Sequence, residues 1–216
     1  MKVNTDGVLL GAWADVAGAK RILDIGTGTG VIALMMAQKN TSATIDAIDI
    51  DEAAYEQAKE NFAQSPWSER LNAHHCPLQS YSSSAKYDLI ISNPPYFVDD
   101  TPAPEARKNA ARHSVELEYE ELMHECDRLI LDCGMLLLVL PIFNVPLIEH
   151  LGKEYSFYIS RVTDVTAVTG KAPYLALIKL EREKRPLQKD SLDIQNASGK
   201  FTNEYKALTK EFYLKF

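Results

Sequence analysis

Short apolar runs alternate with amphipathic stretches along most of this 216-residue chain, and from about residue 20 onward the alternation reads as β-α-β. Arg21-Ile-Leu-Asp24-Ile predicts a buried strand, and Val31-Ile-Ala-Leu-Met-Met-Ala37 predicts the helix after it. A second strand is expected over Thr44–Asp49. Next comes a helix from Glu52 to Ser65 with Ala54, Ala58 and Phe62 on one face, stopped by Pro66-Trp67. Leu71–Cys76 and Tyr87–Asn93 make a third and a fourth strand. Tyr119, Leu122, Cys126 and Leu129 mark a helix face with Gly134 as its stop, and Met135–Leu140 is a fifth strand buried on both faces. After a short helix from Asn144 to Lys153, the runs Phe157–Val165 and Tyr174–Leu180 predict a terminal antiparallel pair. The fold class is therefore α/β, a doubly wound Rossmann-like sheet with ligands above the carboxyl ends of strands one, two and four. One domain over 1–216 is the economical division: a short helix at 6–16, a glycine-loop core at 20–180 and a C-terminal extension at 181–216.

The turn after the first strand carries Gly26, Gly28 and Gly30. Gly26 permits a tight turn, Gly28 and Gly30 let a ligand approach the backbone, and the helix start favours a carboxylate. A dinucleotide fingerprint beginning at Gly26 would want a small residue where Val31 stands, so the spacing tells against NAD. Asp49, at the carboxyl end of the second strand, is placed to take two ribose hydroxyls, while Asp51 reads as the N-cap of the next helix.

Asn93-Pro94-Pro95-Tyr96 closes the fourth apolar run. The Asn93 amide oxygen and the Pro94 carbonyl can each accept a hydrogen bond from an exocyclic NH2, and Tyr96 offers a stacking face. An aromatic amine is a poor nucleophile because its lone pair is delocalised into the ring. Two fixed acceptors pull it toward sp3, and the methylated cationic nitrogen then sheds a proton readily, so the site needs positioning more than a strong base. With the glycine loop, the tetrapeptide points to methyl transfer from S-adenosylmethionine to a planar amino group. Read as local sequence alone, it is a bare turn.

Composition narrows the setting. Three cysteines, Cys76, Cys126 and Cys133, form no C-x-x-C pair, so a reducing compartment is expected. No stretch approaches the roughly eighteen apolar residues needed to span a bilayer, and Met1–Thr5 lacks a signal-peptide core; a cytoplasmic enzyme without a membrane partner is expected. His74-His75-Cys76 is not expected to bind metal, because adjacent strand residues point to opposite faces. The net charge of −7, from 23 basic and 30 acidic residues, opposes a polyanion at long range. Local clusters would have to carry nucleic acid: Arg107, Lys108 and Arg112 beyond Tyr96-Phe97, and Arg182, Lys184, Arg185 and Lys189 near the C-terminus.

Several segments in order resemble the bacterial tRNA1(Val) adenine-N6 methyltransferases: Met1-Lys-Val-Asn-Thr5-Asp6 to Trp13, Leu23-Asp24 to Gly30, Asn93-Pro-Pro-Tyr-Phe97, Ala111-Arg112-His113, and Phe201-Thr to Phe212-Tyr213. The resemblance implies a class I methyltransferase with seven strands, the last antiparallel, acting on N6 of the adenosine at tRNA position 37 in the anticodon stem-loop. It also implies a cofactor set of Thr5, Asp6, Asp24, Gly26, Thr27, Gly28, Gly30, Asp49, Ile50 and Leu78. Asn93, Pro94, Pro95 and Tyr96 would be catalytic, and Phe97, Arg107, Lys108 and Arg112 would meet substrate. The chain has Pro77 where the family commonly has an Asp, and family members usually carry a short segment before Lys2. Glutamine methylation of a protein such as a release factor is the rival reading, since a side-chain amide presents the same NH2. The few residues ahead of the glycine loop argue against the helical domain that such enzymes carry. A cofactor-fold binding module is the third reading.

Overall fold

The computed structural model describes residues 5–95 and 118–213. Among them the helices are α1 (Thr5–Trp13), α2 (Val31–Lys39), α3 (Glu52–Gln64), α4 (118–129), α5 (Val145–Glu154) and α6 (Asn203–Thr209). The strands are β1 (Arg21–Ile25), β2 (Thr44–Asp49), β3 (Leu71–His75), β4 (Tyr87–Ser92), β5 (Ile130–Pro141), β6 (Tyr158–Val168), β7 (Leu175–Glu181) and β8 (Gln188–Gln195). They form one sheet in the order β3-β2-β1-β4-β5-β7-β6-β8. β3 to β5 run parallel, and β7 is antiparallel to both β5 and β6.

Alternation along each strand fills two cores. Ile22, Ile45, Leu89, Ile91, Leu137 and Val139 pack beneath α1, α2 and α3. Leu23, Ile48, Ile90, Leu136 and Leu138 pack beneath α4 and α5. Burial on both faces explains why the central strands read as continuous apolar runs.

Three expectations are corrected. The sheet has eight strands among the described residues: the seventh is antiparallel to its neighbours, as expected, and an eighth is added parallel to β6. In β8 only Leu192 and Ile194 are buried, so this edge strand is held by backbone hydrogen bonding that hydropathy does not register. Gly134 is not the stop of α4, which passes into β5 at Ile130. A Cβ at Gly134 would stand 2.6 Å from Ile130 Cγ1 and 3.0 Å from Tyr87 O, and the register of β5 against β4 shifts beside it. Glycine is needed here for close approach within an irregular strand. Helix α1 ends at Trp13 rather than at 16, for reasons given by Lys39 below.

Candidate active site

The turn from β1 into α2 uses left-handed backbone, with φ of 69° at Gly26, 57° at Gly28 and 80° at Gly30. Among the described residues nothing stands within 4 Å of where a Cβ on Gly26 would point, so they leave that side of the turn open. At Gly30 a Cβ would lie 2.4 Å from Phe62 Cε1. Glycine there is demanded by the packing of α2 on α3 rather than by an approaching ligand. The N–H groups of Gly26 and Thr27 donate to the Ile48 carbonyl at 2.9 and 3.0 Å, and that of Gly28 donates to Asp49 Oδ2 at 2.8 Å. The turn is thus fastened to the end of β2.

Asp24 is fully buried behind this turn. Its Oδ2 accepts from the Thr27 hydroxyl at 2.6 Å and from Ala33 N–H at 3.2 Å, while Oδ1 is buried without a hydrogen-bond partner among the described residues. Burial pushes the carboxyl up to about 7; the bonds from Thr27 and Ala33 pull the other way, and the charge of Asp49 adds to the rise. Asp49 Oδ1 also accepts from Asp51 N–H, and Asp51 caps α3 through Ala54 N–H at 2.8 Å, as its position in the sequence predicts.

Beside Asp49, Ile50 is 70% exposed. His75 Nε2 lies 3.1 Å from the Ile50 carbonyl and its ring stacks on Tyr55, whereas His74 turns to Asp46 and to the edge of Tyr81. Asp46 accepts from Tyr87 Oη at 2.7 Å, Asn72 Nδ2 at 3.0 Å and Arg21 Nη2 at 3.1 Å, and the Tyr81 and Tyr87 hydroxyls are 2.6 Å apart. Burial by itself would raise Asp46, but the bonds from His74, Tyr87 and Asn72 outweigh it and hold the carboxyl at about 2. Arg128 of α4 donates to the carbonyls of Tyr81 at 2.8 Å and Leu78 at 3.4 Å and is closely paired with Glu125. These bonds hold Leu78 and its neighbours over the end of the sheet, a role no local sequence signal announced.

One cleft joins these parts. It is lined by Ile25 and Gly26, by Leu78 and Gln79, by Ser92, Pro94 and Pro95 at the end of β4, and by Glu118, Tyr119 and Leu122 of α4. Ser92 Oγ–H donates to the Ile25 carbonyl at 2.9 Å and ties the ends of β1 and β4 together. Asn93 follows it, half-buried. Ser92, Gln79 and Glu118 were not foreseen as cleft residues, although a serine closing the apolar run Leu89-Ile-Ile is a signal of its kind. Tyr96, Phe97, Arg107, Lys108 and Arg112 lie outside the described residues.

Thr5 and Asp6 open α1; burial, with the negative charge of Asp6 adding to it, raises the phenol of Tyr174, which precedes β7 at the same end of the sheet as the cleft. The other end of α1 is locked. Lys39 Nζ donates to the carbonyls of Gly11, Ala12 and Ala14, and Trp13 Nε1 donates to Thr163 Oγ1 at 2.8 Å.

The C-terminal basic cluster sits toward the opposite end of the sheet, because Glu181 ends β7 opposite Met135, away from the Pro141 end of β5. Its charges are largely met: Arg182 pairs with Asp127, Arg185 with Glu183 and Lys189 with Asp164.

Residues 7–125 match the methyltransferase small domain family. A tRNA1(Val) (adenine(37)-N6)-methyltransferase of Bacteroides thetaiotaomicron is 44% identical over 99% of this chain and 91% of its own length. The enzyme of the same name from Tolumonas auensis is 41% identical over 100% and 91%. Among solved structures, a predicted O-methyltransferase from Agrobacterium tumefaciens superposes with a TM-score of 0.72 over 95% of this chain and 96% of that one at 16% identity, which is a likeness of fold. A glycine turn, an acidic second-strand end and Asn-Pro-Pro after the fourth strand, set in this fold and in a sequence so close to those relatives, place the chain in the tRNA1(Val) (adenine(37)-N6)-methyltransferase family.

Proposed function

We propose that the protein transfers a methyl group from S-adenosylmethionine to the exocyclic N6 of an adenosine in tRNA, namely position 37 of tRNA1(Val), the substrate its relatives are named for. The observation that carries this reading is the shared cleft: Pro94 and Pro95, directly after Asn93, line the same space as Gly26 and Leu78. The residues fit the cofactor. Among the described residues, Gly26 leaves its side of the turn open, Asp24 keeps a buried carboxylate oxygen unused, and Asp49 spends only part of its acceptor capacity on Gly28 and Asp51.

In this reading Asp24 and the turn hold the amino-acid end of the cofactor, Asp49 the ribose, and Ile50 with Leu78 the adenine. The cofactor supplies an electrophilic methyl on sulfonium. Asn93 and the Pro94 carbonyl accept hydrogen bonds from the adenine amino group, and Tyr96 stacks on the base. Held in that geometry, the amine would have its lone pair aimed at the methyl that the cofactor would supply, and the cationic product nitrogen would lose one of its protons to water. Phe97, Arg107, Lys108 and Arg112 serve the anticodon stem-loop. No described helix is long and apolar enough to cross a membrane, and the reading makes the enzyme cytoplasmic.

The test is transfer of labelled methyl to unmodified tRNA, in parallel with a purified release factor, followed by nucleoside analysis. N6-methyladenosine is expected with wild type, and Asn93→Ala should lower kcat by about 100-fold or more with cofactor affinity nearly unchanged. Label in the release factor alone, or equal activity of the variant, would overturn the assignment.

A further inference from the structure

Four of the six exposed large hydrophobic side chains among the described residues are aromatic: Phe143, Tyr174 and Phe201 stand at one end of the sheet, Phe143 63% exposed, and Tyr213 is joined to Phe201 through Tyr205. Topology gathers them. Phe143 follows β5, Tyr174 precedes β7 and Phe201 follows β8, all at the carboxyl end of the parallel strands, where Asn93 also lies. Ile142 N–H donates to the Tyr174 carbonyl at 3.0 Å, which sets Phe143 beside Tyr174. Phe201 stacks on Tyr205 at 5.1 Å, and the Tyr205 and Tyr213 hydroxyls are 3.3 Å apart. The row runs outward from the target site: β8 is four strands from β4, roughly 20 Å at about 4.8 Å per strand.

Charge follows the same layout. Lys171 and Lys200 are exposed and each follows a glycine with positive φ, 85° at Gly170 and 77° at Gly199, in the loops after β6 and β8. Neither makes an ion pair among the described residues, whereas Arg182, Arg185 and Lys189 at the far end all do. Asp193, the carboxylate on β8 near these loops, accepts from Thr169. A chain of net charge −7 thus keeps unpaired cations next to exposed aromatic rings at its cleft end. Rings for base stacking beside lysines for phosphates are what single-stranded nucleic acid requires.

We infer that Phe143, Tyr174, Phe201 and Tyr213, with Lys171 and Lys200, form a platform that holds the anticodon-loop nucleotides flanking the target adenosine. The inference rests on the tRNA reading above and extends it from the reacting amine to the grip on the loop. Stacking supplies sequence-tolerant affinity, and the two lysines fix the strand by its backbone.

The test measures affinity of the full chain for unmodified tRNA across a salt series, with cofactor affinity measured separately by calorimetry. Lys171→Gln/Lys200→Gln should weaken tRNA binding and lower the salt slope by about one per lysine. Phe143→Ala should weaken it about tenfold with the slope unchanged. Both variants should bind cofactor and melt as wild type does. Wild-type affinity and slope in both variants would overturn the platform while leaving the tRNA reading intact. The same result joined to a change in oligomeric state would make the face a contact between copies. Failure of the wild type itself to bind or methylate tRNA would overturn both readings.

Discussion

Asp24 joins the fold to the proposed site in a single side chain. Its carboxylate shapes the glycine turn through Thr27 and Ala33, yet burial raises it to about 7. A folded-state value above the unfolded one means that the native protein holds this proton more tightly. The stability that this group contributes is complete below the unfolded value near 4 and is lost as pH rises to about 7. Asp24→Asn keeps an acceptor for Thr27 and Ala33 but cannot ionise. In cofactor-free protein, its melting temperature relative to wild type is expected to rise between pH 5 and pH 8, while cofactor affinity at pH 8 falls about tenfold or more. Parallel melting curves without that divergence would remove the buried charge from the account. Asp46 shows the opposite balance within the same sheet: bonds from His74, Tyr87 and Asn72 outweigh burial and hold its carboxyl at about 2, and they tie β2 to β3 and β4.

Among the elements, α1 depends most on its neighbours. Seven of its nine residues are buried, and its C-terminal carbonyls are met by Lys39 of α2 rather than by a glycine cap. Burial lowers the Lys39 ammonium below its ordinary value, with Asp15 opposing the shift. Lys39→Met removes the donor and leaves helix-end carbonyls unmet. The expected loss is roughly 2 kcal/mol, about 4–8 °C for a chain of this size, read as a melting shift with little change in kcat. An unchanged melting temperature would show that water meets those carbonyls equally well.

On the scale of the whole molecule, the proposed cofactor and amine sites fall on one half of the sheet and the reinforcement of α1 on the other. Its parallel half carries the glycine turn, Asp49 and Asn93. The β7-β6-β8 half receives Trp13 through Thr163 and buries Leu192, Ile194 and Tyr205 against the first core. A chain ending at Leu187 loses β8 and α6, leaves the β6 edge unpaired and uncovers apolar surface. It is expected to aggregate and to bind a hydrophobic dye, checked by size-exclusion chromatography and dye fluorescence. A monodisperse, cooperatively melting 1–187 fragment would show that β8 and α6 are not needed to hold the fold.

Local chemistry made much of this protein readable in advance. The β1 turn, the Asp51 cap, the end of β2 and the delivery of Asn93 by a buried strand each depend on neighbouring residues and on backbone conformations with strong preferences. β8 escaped because half of it is exposed and its partner β6 lies elsewhere in the chain; Gly134 misled because a glycine marks a helix stop and a strand irregularity alike. The Phe62 contact that requires Gly30, the orphaned oxygen of Asp24, the Arg128 tie to Leu78 and the gathering of aromatics above β5, β7 and β8 arise from residues far apart in sequence. Propensity and periodicity act over a few residues, whereas burial, pairing and charge neutralisation are set by whatever the folded sheet brings alongside, and only the assembled structure decides that.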